Sequence, residues 1–387
     1  MNIRLATAPS GAAYSAFPAE ATGPFSFRGP EGIVRAGGGA APIPSGTAAT
    51  LRKRIAAAFA GAGTDAVLGG ALPFDNGCAD ALWLARTPRH APRTPPSGTT
   101  VPRCTEMTAE PSGRDYAAAV TRALAAMCDG PLRKIVLART LRLRFDAALD
   151  PDALLAALAD DAAATAFRVT LPGGALLIGA TPELLVAKSG ARVRSFPLAG
   201  SARRDRDPAR DAAACAGLAA SDKDRREHAM VIEAIMDTLA PHCRTLAAPE
   251  GTCLTATRSM WHLGTRIEGE LSDPSIPVPL LAAALHPTPA VCGVPRDPAA
   301  ALIPQLEPQP RGFYAGAVGW CDAAGDGAWH VAIRCAEIAG AEARLFAGAG
   351  IVPGSDPAAE TAETGAKFGA MLAALGLPRD AALTLQD

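Results

Sequence analysis

Residues 167–197 read FRVTLPGGALLIGATPELLVAKSGARVRSFP, and this stretch decides the fold class. The runs 167–171, 175–179, 184–187 and 192–197 are rich in apolar and β-branched residues, which is typical of short β-strands. Gly173-Gly174 and Thr181-Pro182 provide tight turns between them. Because a parallel pair needs a long crossover, strands joined by such short turns pair antiparallel. The stretch therefore predicts an antiparallel sheet.

The chain outside this stretch mixes further strands with amphipathic helices. Apolar residues at helical spacing predict helices at 116–127, 151–159, 224–239 and 360–375. Apolar runs with partial alternation predict strands at 134–143, 265–271, 312–320, 329–338 and 343–346. Most strands follow one another through short turns, so the sequence predicts an α+β fold rather than a parallel α/β fold.

The composition excludes several classes of partner. Hydrophobic residues make up 49% and charged residues 19% of the 387 residues, which are globular values. A formal net charge of −1 argues against nucleic acid or an anionic membrane as a partner. None of the nine cysteines forms a CxxC pair, so we expect no zinc site and a reducing, cytoplasmic location. No run of about 18 apolar residues predicts a membrane-spanning helix.

Two acidic turns are the strongest chemical signal. Asp224-Arg225-Arg226-Glu227 opens one predicted helix, and Glu360-Thr361-Ala362-Glu363 opens another after the run Ala347-Gly348-Ala349-Gly350. In each turn two carboxylates lie three residues apart and share a helix face. Four carboxylates on two converging helices suit a hard cation such as Mg²⁺. The glycines would let backbone N–H groups approach an anion at the following helix N-terminus.

Each of these signals also has an ordinary explanation. Glu227 could simply complement the dipole at its helix N-terminus, and Glu363 could form an i, i+4 ion pair with Lys367. Two further residues stand beside apolar strands: Lys134 precedes Ile135-Val136-Leu137, and Glu183 lies in the turn between two strands. A desolvated lysine can act as a base and a desolvated carboxyl as an acid. Solvated positions at a strand end and in a turn are the alternatives.

The order of these motifs resembles a known family. The chain resembles the chorismate-using enzymes of the anthranilate synthase component I type, most closely the isochorismate synthases. The resemblance covers about residues 115–377, and traces occur earlier at 25–30 and 73–75. It is carried by the segments 134–139, 178–185, 197–204, 222–228, 261–265, 286–293, 311–320, 333–337 and 347–367. It implies one chorismate-binding catalytic domain over 1–387, with a variable N-terminal part at 1–110 and a catalytic core at 115–377. The implied fold has four layers, α/β/β/α, with two packed antiparallel sheets flanked by helices.

The resemblance also implies roles for individual residues. Lys134 matches the general base that activates water for attack on ring carbon two, and Glu183 matches the general acid that protonates the leaving hydroxyl at carbon four. Glu227 and Glu363 match direct Mg²⁺ ligands, while Asp224 and Glu360 would act through bound water. The residues expected to hold chorismate are Ala199, Gly200, His262, Ala290, Tyr314, Arg334, Gly348, Gly350 and Lys367.

The resemblance favours one reaction among several that the family performs. Relatives that add ammonia need a glutaminase partner, and here Lys134 stands where a water-using enzyme is expected to have lysine. We therefore expect an isomerase that makes isochorismate for a siderophore, salicylate or 2,3-dihydroxybenzoate pathway, as a monomer without a glutaminase subunit. Salicylate synthase, which also eliminates pyruvate, is the alternative. Ala290 favours stopping at isochorismate, because the bifunctional relatives have threonine at the matching position.

Overall fold

The computed structural model describes residues 4–5, 23–37, 39–86 and 101–383. Of the N-terminal part, positions 1–3, 6–22, 38 and 87–100 lie outside the described residues. The strands β1 to β22 are, in chain order, Arg4–Leu5, Phe25–Gly29, Gly32–Arg35, Ala41–Pro42, Ala66–Leu72, Ala81–Arg86, Cys104–Glu110, Lys134–Phe145, Thr165–Thr170, Leu176–Thr181, Leu184–Ser189, Arg192–Phe196, Leu198–Arg203, Cys243–Ala247, Thr252–Ala256, Met260–Thr265, Ile267–Leu271, Gly293–Val294, Ala317–Asp322, Gly327–Val331, Cys335–Ala339 and Glu342–Ile351. The helices α1 to α9 are Leu51–Phe59, Gly113–Cys128, Pro151–Leu158, Pro208–Ala220, Asp222–Leu239, Val278–Leu285, Arg296–Leu306, Pro357–Lys367 and Gly369–Ala374. Among the described residues, every helix is too short or too polar to cross a lipid bilayer.

Two large antiparallel sheets form the middle of the molecule. Sheet I has the order β18-β8-β22-β21-β10-β9-β2-β3, and β7 also pairs with β8. Sheet II has the order β14-β17-β12-β11-β20-β19-β5-β6-β4. A third, four-stranded sheet has the order β1-β15-β16-β13, and its β1–β15 pair is parallel. The sequence analysis predicted the two large sheets but not this small one. The early strands β2 to β6 extend sheets I and II.

The core lies between the inner faces of sheets I and II. Phe25, Phe167 and Leu177 of sheet I share one buried cluster with Leu68 and Trp329 of sheet II. The sheets approach closely at Gly69, where an added Cβ would lie 2.7 Å from the Phe25 ring. Alternate residues of each strand point into this core, as the period of a β-strand requires.

Helices cover the outer faces of both sheets. Leu154 and Leu155 of α3 and Leu372 of α9 pack on Leu141 and Leu345 of sheet I. A second cluster joins α2 and α7 to β8 and β22. On the other side, α6 contacts β11, β19 and β20 of sheet II, and α5 contacts α6. The predicted α+β fold, with two packed antiparallel sheets flanked by helices in four layers, is confirmed.

Among the local predictions that were wrong, two concern the site. The predicted strand 329–338 is divided into β20 and β21, because Arg334 has a left-handed backbone with φ of 52°. The glycine run 347–350 is not a loop opening a helix. It lies within β22, where Gly348 pairs with Ala138 and Gly350 with Val136, and α8 begins only at Pro357. Gly348 and Gly350 therefore leave space beside a strand, and they do not form an anion-binding loop at a helix N-terminus.

Candidate active site

A cleft of about 620 Å³ lies where the first residues of β8, the end of β22 and the β10–β11 turn face α5 and α8. Twelve of the residues singled out in the sequence line it: Glu183, Ala199, Gly200, Glu227, His262, Ala290, Tyr314, Arg334, Gly348, Gly350, Glu363 and Lys367. Lys134, Asp224 and Glu360 are not part of the lining itself, but they contact or lie close to residues that are. The fold thus brings together residues separated by more than 200 positions in the chain.

Glu183 is a buried carboxylic acid in the turn between β10 and β11. Its backbone is held in place because the Glu183 carbonyl accepts a hydrogen bond from Val331 N–H at 3.1 Å, and Pro182 precedes it. Only 3% of the residue is exposed. Burial raises the pKa of Glu183 to about 7, although the Leu198 N–H and the charges of Lys134, Arg334 and Lys367 act in the opposite direction. A carboxyl with this pKa can give up a proton at neutral pH.

Lys134 is fully buried at the first position of β8. Its Nζ lies 2.9 Å from Glu227 Oε1, outside good hydrogen-bond geometry, and makes no hydrogen bond to any described residue. Glu227 reaches it from α5, where it follows the same apolar face as Val231, Ile235 and Leu239. The helix-dipole explanation of Glu227 is therefore insufficient, because the carboxylate points into the cleft and contacts a buried ammonium group.

The two acidic helix turns meet beside Lys134. Ser221 caps α5 by accepting the Asp224 N–H at 3.2 Å, which places Asp224 and Glu227 in the first two turns. Burial and then the neighbouring Glu227 and Glu363 charges raise the pKa of Asp224, although Ser221 and Lys223 oppose this. Burial and then Glu363 raise the pKa of Glu360. Such mutual effects arise only between carboxylates that lie close together.

Lysines offset this concentration of negative charge. Lys223 Nζ lies 2.5 Å from Glu360 Oε1, and Lys367 Nζ lies 2.6 Å from Glu363 Oε1. Burial acts to raise the pKa of Glu363, but Lys367, together with Ser201 and Lys223, lowers it overall. With the Lys134–Glu227 contact, three of the four carboxylates each face one lysine. The ordinary i, i+4 pair between Glu363 and Lys367 exists, and it forms part of this larger arrangement.

The four carboxylates fit a divalent cation by their chemistry. Within the part of the chain that the structure describes, no three His, Cys, Asp or Glu side chains are grouped closely enough to hold a metal, and Lys223 and Lys367 contact oxygens of Glu360 and Glu363. However, Glu360 is only 1% exposed, and its Oε2 is buried without a hydrogen-bond partner. An unsatisfied buried carboxylate oxygen is costly unless a cation approaches it. A metal that replaced the lysines as counter-charge would therefore suit these residues.

The opposite side of the cleft carries Arg334 and Tyr314. No described side chain forms an ion pair or hydrogen bond with the Arg334 guanidinium, and burial lowers the pKa of Arg334. Tyr314 stacks on Phe346 with ring centroids 4.9 Å apart, and burial raises its pKa. Arg334 and its neighbour in the cleft, Ala315, both have left-handed backbones, with φ of 52° and 58°. Non-glycine residues adopt this conformation at a cost, and such strain is common at functional sites.

Glycines make room for the charged groups. A Cβ on Gly350 would lie 2.2 Å from Glu227 Oε1, and a Cβ on Gly348 would lie 3.0 Å from Tyr314 Oη. The Gly348 carbonyl accepts a hydrogen bond from Lys367 Nζ at 2.8 Å. Gly200 has φ of 79° and leaves space for Asp224. These positions need glycine because the Glu227, Tyr314 and Asp224 side chains occupy the space of a Cβ.

His262 contributes a neutral ring to the cleft. Burial, with the Arg334 and Lys367 charges, holds its pKa well below the usual value, although a hydrogen bond to the Gly200 backbone acts the other way. His262 Nε2 is buried and makes no hydrogen bond to any described residue. At neutral pH the ring is therefore uncharged, with one nitrogen free to bind a ligand. Ala199 and Ala290 add small surfaces beside it.

Three contributors to the site were not predicted to be site residues. Ser201 Oγ donates to Glu363 Oε1 at 2.9 Å, and Lys223 holds Glu360. Arg311 is buried and donates to the carbonyls of Val136 (2.7 Å) and Val291 (2.6 Å), which both line the cleft. Lys223 could have been suspected because it directly precedes Asp224. Arg311 left no local signal, since one of its partners lies 175 positions away.

Comparison with known proteins identifies the class of this arrangement. Residues 78–376 match the family described as chorismate binding enzyme. The chain is 49% identical over 274 residues to isochorismate synthase DhbC of Bacillus subtilis strain 168, covering 69% of each protein. It is 39% identical over 339 residues to isochorismate synthase EntC of Escherichia coli K12, covering 84% of this chain and 86% of that protein. The crystal structure of DhbC from Bacillus anthracis has a TM-score of 0.83 and 39% identity, over 92% of this chain and 96% of that one.

The chain belongs to the chorismate binding enzyme family, because the family region matches most of its length and its relatives are more than 30% identical. The resemblance noted from the sequence motifs is confirmed.

Proposed function

We propose that the protein is an isochorismate synthase, an isomerase that converts chorismate to isochorismate. The observation that carries this proposal is the pair formed by Lys134 and Glu183. Both are buried beside one cleft, and burial raises the pKa of Glu183 to about 7, so that Glu183 can give up a proton at neutral pH. The similarity to the synthases named above supports the same reaction.

The two groups divide the proton transfers of the reaction. Lys134 removes a proton from the water that attacks ring carbon two. Glu183 gives a proton to the hydroxyl that leaves from carbon four, so the double bond shifts and one water enters as another departs. Because a proton is accepted at one end of the allylic system and supplied at the other, neither hydroxide nor a carbanion has to form free in the cleft.

Charged residues at two sides of the cleft hold the substrate. Arg334 and Tyr314, with the backbone near Gly348 and Gly350, bind the carboxylate of the pyruvyl group. A planar guanidinium that pairs with no described residue is suited to this task, because it can donate two parallel hydrogen bonds to a carboxylate. Lys367 and the backbone at Ala199-Gly200 face the ring carboxylate. The neutral His262 lies beside the ring.

Mg²⁺ is the proposed cofactor. Glu227 and Glu363 would bind it directly, and Asp224 and Glu360 would bind it through water molecules. When bound, the cation supplies positive charge that orients and neutralises the ring carboxylate. Two residues of the chain position these ligands. Gly350 leaves space for the Glu227 carboxylate, and Ser201 donates a hydrogen bond to one oxygen of Glu363.

Substitution of Lys223 by methionine is expected to tighten Mg²⁺ binding by about tenfold, equivalent to about 1.4 kcal/mol. The ammonium group lies 2.5 Å from Glu360 Oε1, so it both occupies an oxygen and repels a second cation. Titration calorimetry of the metal-free protein with Mg²⁺ measures this affinity independently of turnover. Lys53→Met, on the exposed face of α1, is the matched control and is expected to leave the affinity unchanged. Unchanged or weaker binding in Lys223→Met would show that Lys223 does not compete with the metal.

Salicylate synthase activity is the alternative function. Ala290 lines the cleft and offers a methyl group where the bifunctional relatives have threonine. Without a hydroxyl at this position we propose that the reaction stops at isochorismate. We propose that the product enters a pathway to a siderophore, salicylate or 2,3-dihydroxybenzoate. We further propose a cytoplasmic monomer that works as a single catalytic domain without a glutaminase subunit.

Incubation of the purified protein with chorismate, with and without Mg²⁺, tests the proposed function. We expect isochorismate only when Mg²⁺ is present, and the same equilibrium mixture when the reaction starts from isochorismate. Chromatography separates the products. Salicylate with pyruvate would favour the alternative and remove Ala290 as a discriminator. No conversion of chorismate under any of these conditions, nor with added ammonia, would overturn the proposal.

A further inference from the structure

A second cavity lies directly beside the cleft. It lies between the end of α3, helix α9 and the turn joining β15 to β16, and its space, including the part open to solvent, is about 780 Å³. Pro182 and Arg334 line both this cavity and the cleft, so the two spaces meet at these residues. None of the catalytic roles proposed above uses the second cavity.

The lining of this cavity combines small and basic side chains. Much of its wall is made of alanines: Ala157, Ala164, Ala180, Ala370, Ala373 and Ala374. Their methyl groups leave the space open. Polar groups come from Thr257, Ser259 and the arginines Arg258 and Arg379, in addition to Arg334. A cavity with apolar walls and a few cationic groups suits a small organic anion with an apolar ring.

The charges of the lining are positive in sum. Asp161 is the one acidic residue of the lining, and its carboxylate already accepts the N–H groups of Arg258 (2.8 Å) and Ala163 (3.2 Å). The Arg258 guanidinium approaches Asp160 only at 3.7 Å on the exposed surface. No carboxylate among the described residues pairs with Arg379 or Arg334. The lining of the cavity thus contains three arginines and one aspartate.

We propose that this cavity is the antechamber through which the dianionic substrate reaches the cleft, and that Arg258 and Arg379 attract its carboxylates on the way. Cavities lined by one sign of charge raise the local concentration and the association rate of an oppositely charged ligand. Arg334 borders both spaces, so a carboxylate can pass from the outer arginines to Arg334 without leaving the region of positive electrostatic potential. The identity of the ligand as chorismate rests on the proposed function. The route itself rests on the two cavities and their shared residues.

Two substitutions in the antechamber test the route. Arg379→Ala removes an exposed charge, and Ala373→Phe fills the space with a ring while leaving the cleft residues in place. We expect Arg379→Ala to lower kcat/KM and the association rate constant of chorismate by about three- to tenfold at low ionic strength, with kcat unchanged. The difference should vanish at high salt, because the charge is then screened. Ala373→Phe is expected to lower the association rate constant at every salt concentration.

Arg122→Ala, which removes an exposed arginine on α2, is the matched control and should behave as the wild type. Circular dichroism and Mg²⁺ calorimetry verify that each variant is folded with its metal site intact. Wild-type association rates in both Arg379→Ala and Ala373→Phe would overturn the antechamber, and would leave the cavity as a place for some other small carboxylate. If the wild type binds chorismate without converting it, the proposed function falls, whereas the stopped-flow association rates of the same variants still decide the route.

Discussion

Replacement of Lys134 by alanine is expected to lower kcat for chorismate isomerisation by roughly 10²–10⁴-fold, the contribution of a positioned general base. Lys134 has no exposed surface, and its Nζ lies 2.9 Å from Glu227 Oε1, so solvent water cannot simply take its place in the same geometry. The loss should appear in kcat, because the base acts on water during the chemical step and not on substrate binding. Steady-state kinetics at saturating Mg²⁺ and chorismate measures it.

The stability of the variant needs a separate control. Removal of one partner from a buried ion pair leaves the other charge uncompensated and costs about 3–5 kcal/mol. Lys134→Gln keeps a hydrogen-bond donor near Glu227 and is the milder second variant. Lys188 provides a matched comparison, since it is also a buried lysine, paired with Asp326 at 2.5 Å, and lies outside the cleft lining. Lys188→Gln should lose stability but keep kcat within a few-fold. Near-normal kcat in folded Lys134→Gln would exclude Lys134 as the base.

Replacement of Glu183 by glutamine is expected to lower kcat by a similar factor of roughly 10²–10⁴, because an amide cannot give a proton to the leaving hydroxyl. The glutamine has nearly the same shape as a protonated glutamate, so it should occupy the turn between β10 and β11 without rearrangement. In the wild type, kcat/KM should fall as the pH rises above about 7, since burial raises the pKa of Glu183 to about 7 and only the protonated form acts as the acid.

The same substitution should change how stability depends on pH. The ordinary pKa of the Glu183 carboxyl is 4.5, and burial raises it to about 7 in the folded protein. Below about pH 4.5 Glu183 is protonated in both the folded and the unfolded protein, so it does not reduce the free energy of unfolding. Between these values the unfolded chain releases the proton first, so the free energy of unfolding falls as the pH rises, and the full cost of roughly 3 kcal/mol is present above about pH 7.

Glu183→Gln removes this cost, because glutamine does not ionise. We therefore expect the variant to be more stable than the wild type at pH 8 by roughly 3 kcal/mol, and no more stable at pH 4.5. Denaturant unfolding at the two pH values measures the difference. Glu250→Gln, at an exposed turn, is the control and should show the same small effect at both. A stability difference between Glu183→Gln and wild type that does not depend on pH would show that Glu183 is already ionised in the fold.

The strands around residues 167–197 were predicted well because their signals are local. Strands β9 to β12 end at turns marked by Gly173-Gly174, Thr181-Pro182 and the Ser189-Gly190 pair, and each lies within about two residues of its expected position. Backbone conformation at a glycine or proline is set largely by the residue itself. Arg334 gave no such signal. Its carbonyl accepts the N–H of Ala180 at 3.2 Å, a contact between distant parts of the chain, so the division of the predicted strand 329–338 was not visible.

The identity of the charged residues was likewise available from the sequence, whereas their pairing was not. Lys134, Glu183, Glu227 and Glu363 stand out by their spacing and by family resemblance. That Lys134 faces Glu227, and that Lys223 faces Glu360 137 positions away, follows only from the tertiary structure, which brings these α5 side chains to the first residue of β8 and to α8. An ion pair between residues so far apart in the sequence produces no periodic sequence pattern, because each partner alone resembles a surface charge.

The sequence by itself determined the strands around residues 167–197, the antiparallel pairing and the family, and it predicted which side chains react. These depend on local turn chemistry, on apolar periodicity and on motifs that each occupy a few residues. The tertiary structure alone decided which carboxylates are neutralised by lysines, why Gly348 and Gly350 lie in a strand, and where the antechamber lies beside the cleft. Each of those depends on desolvation and on contacts between segments distant in the chain, and burial is a property of the packed molecule and not of any single segment.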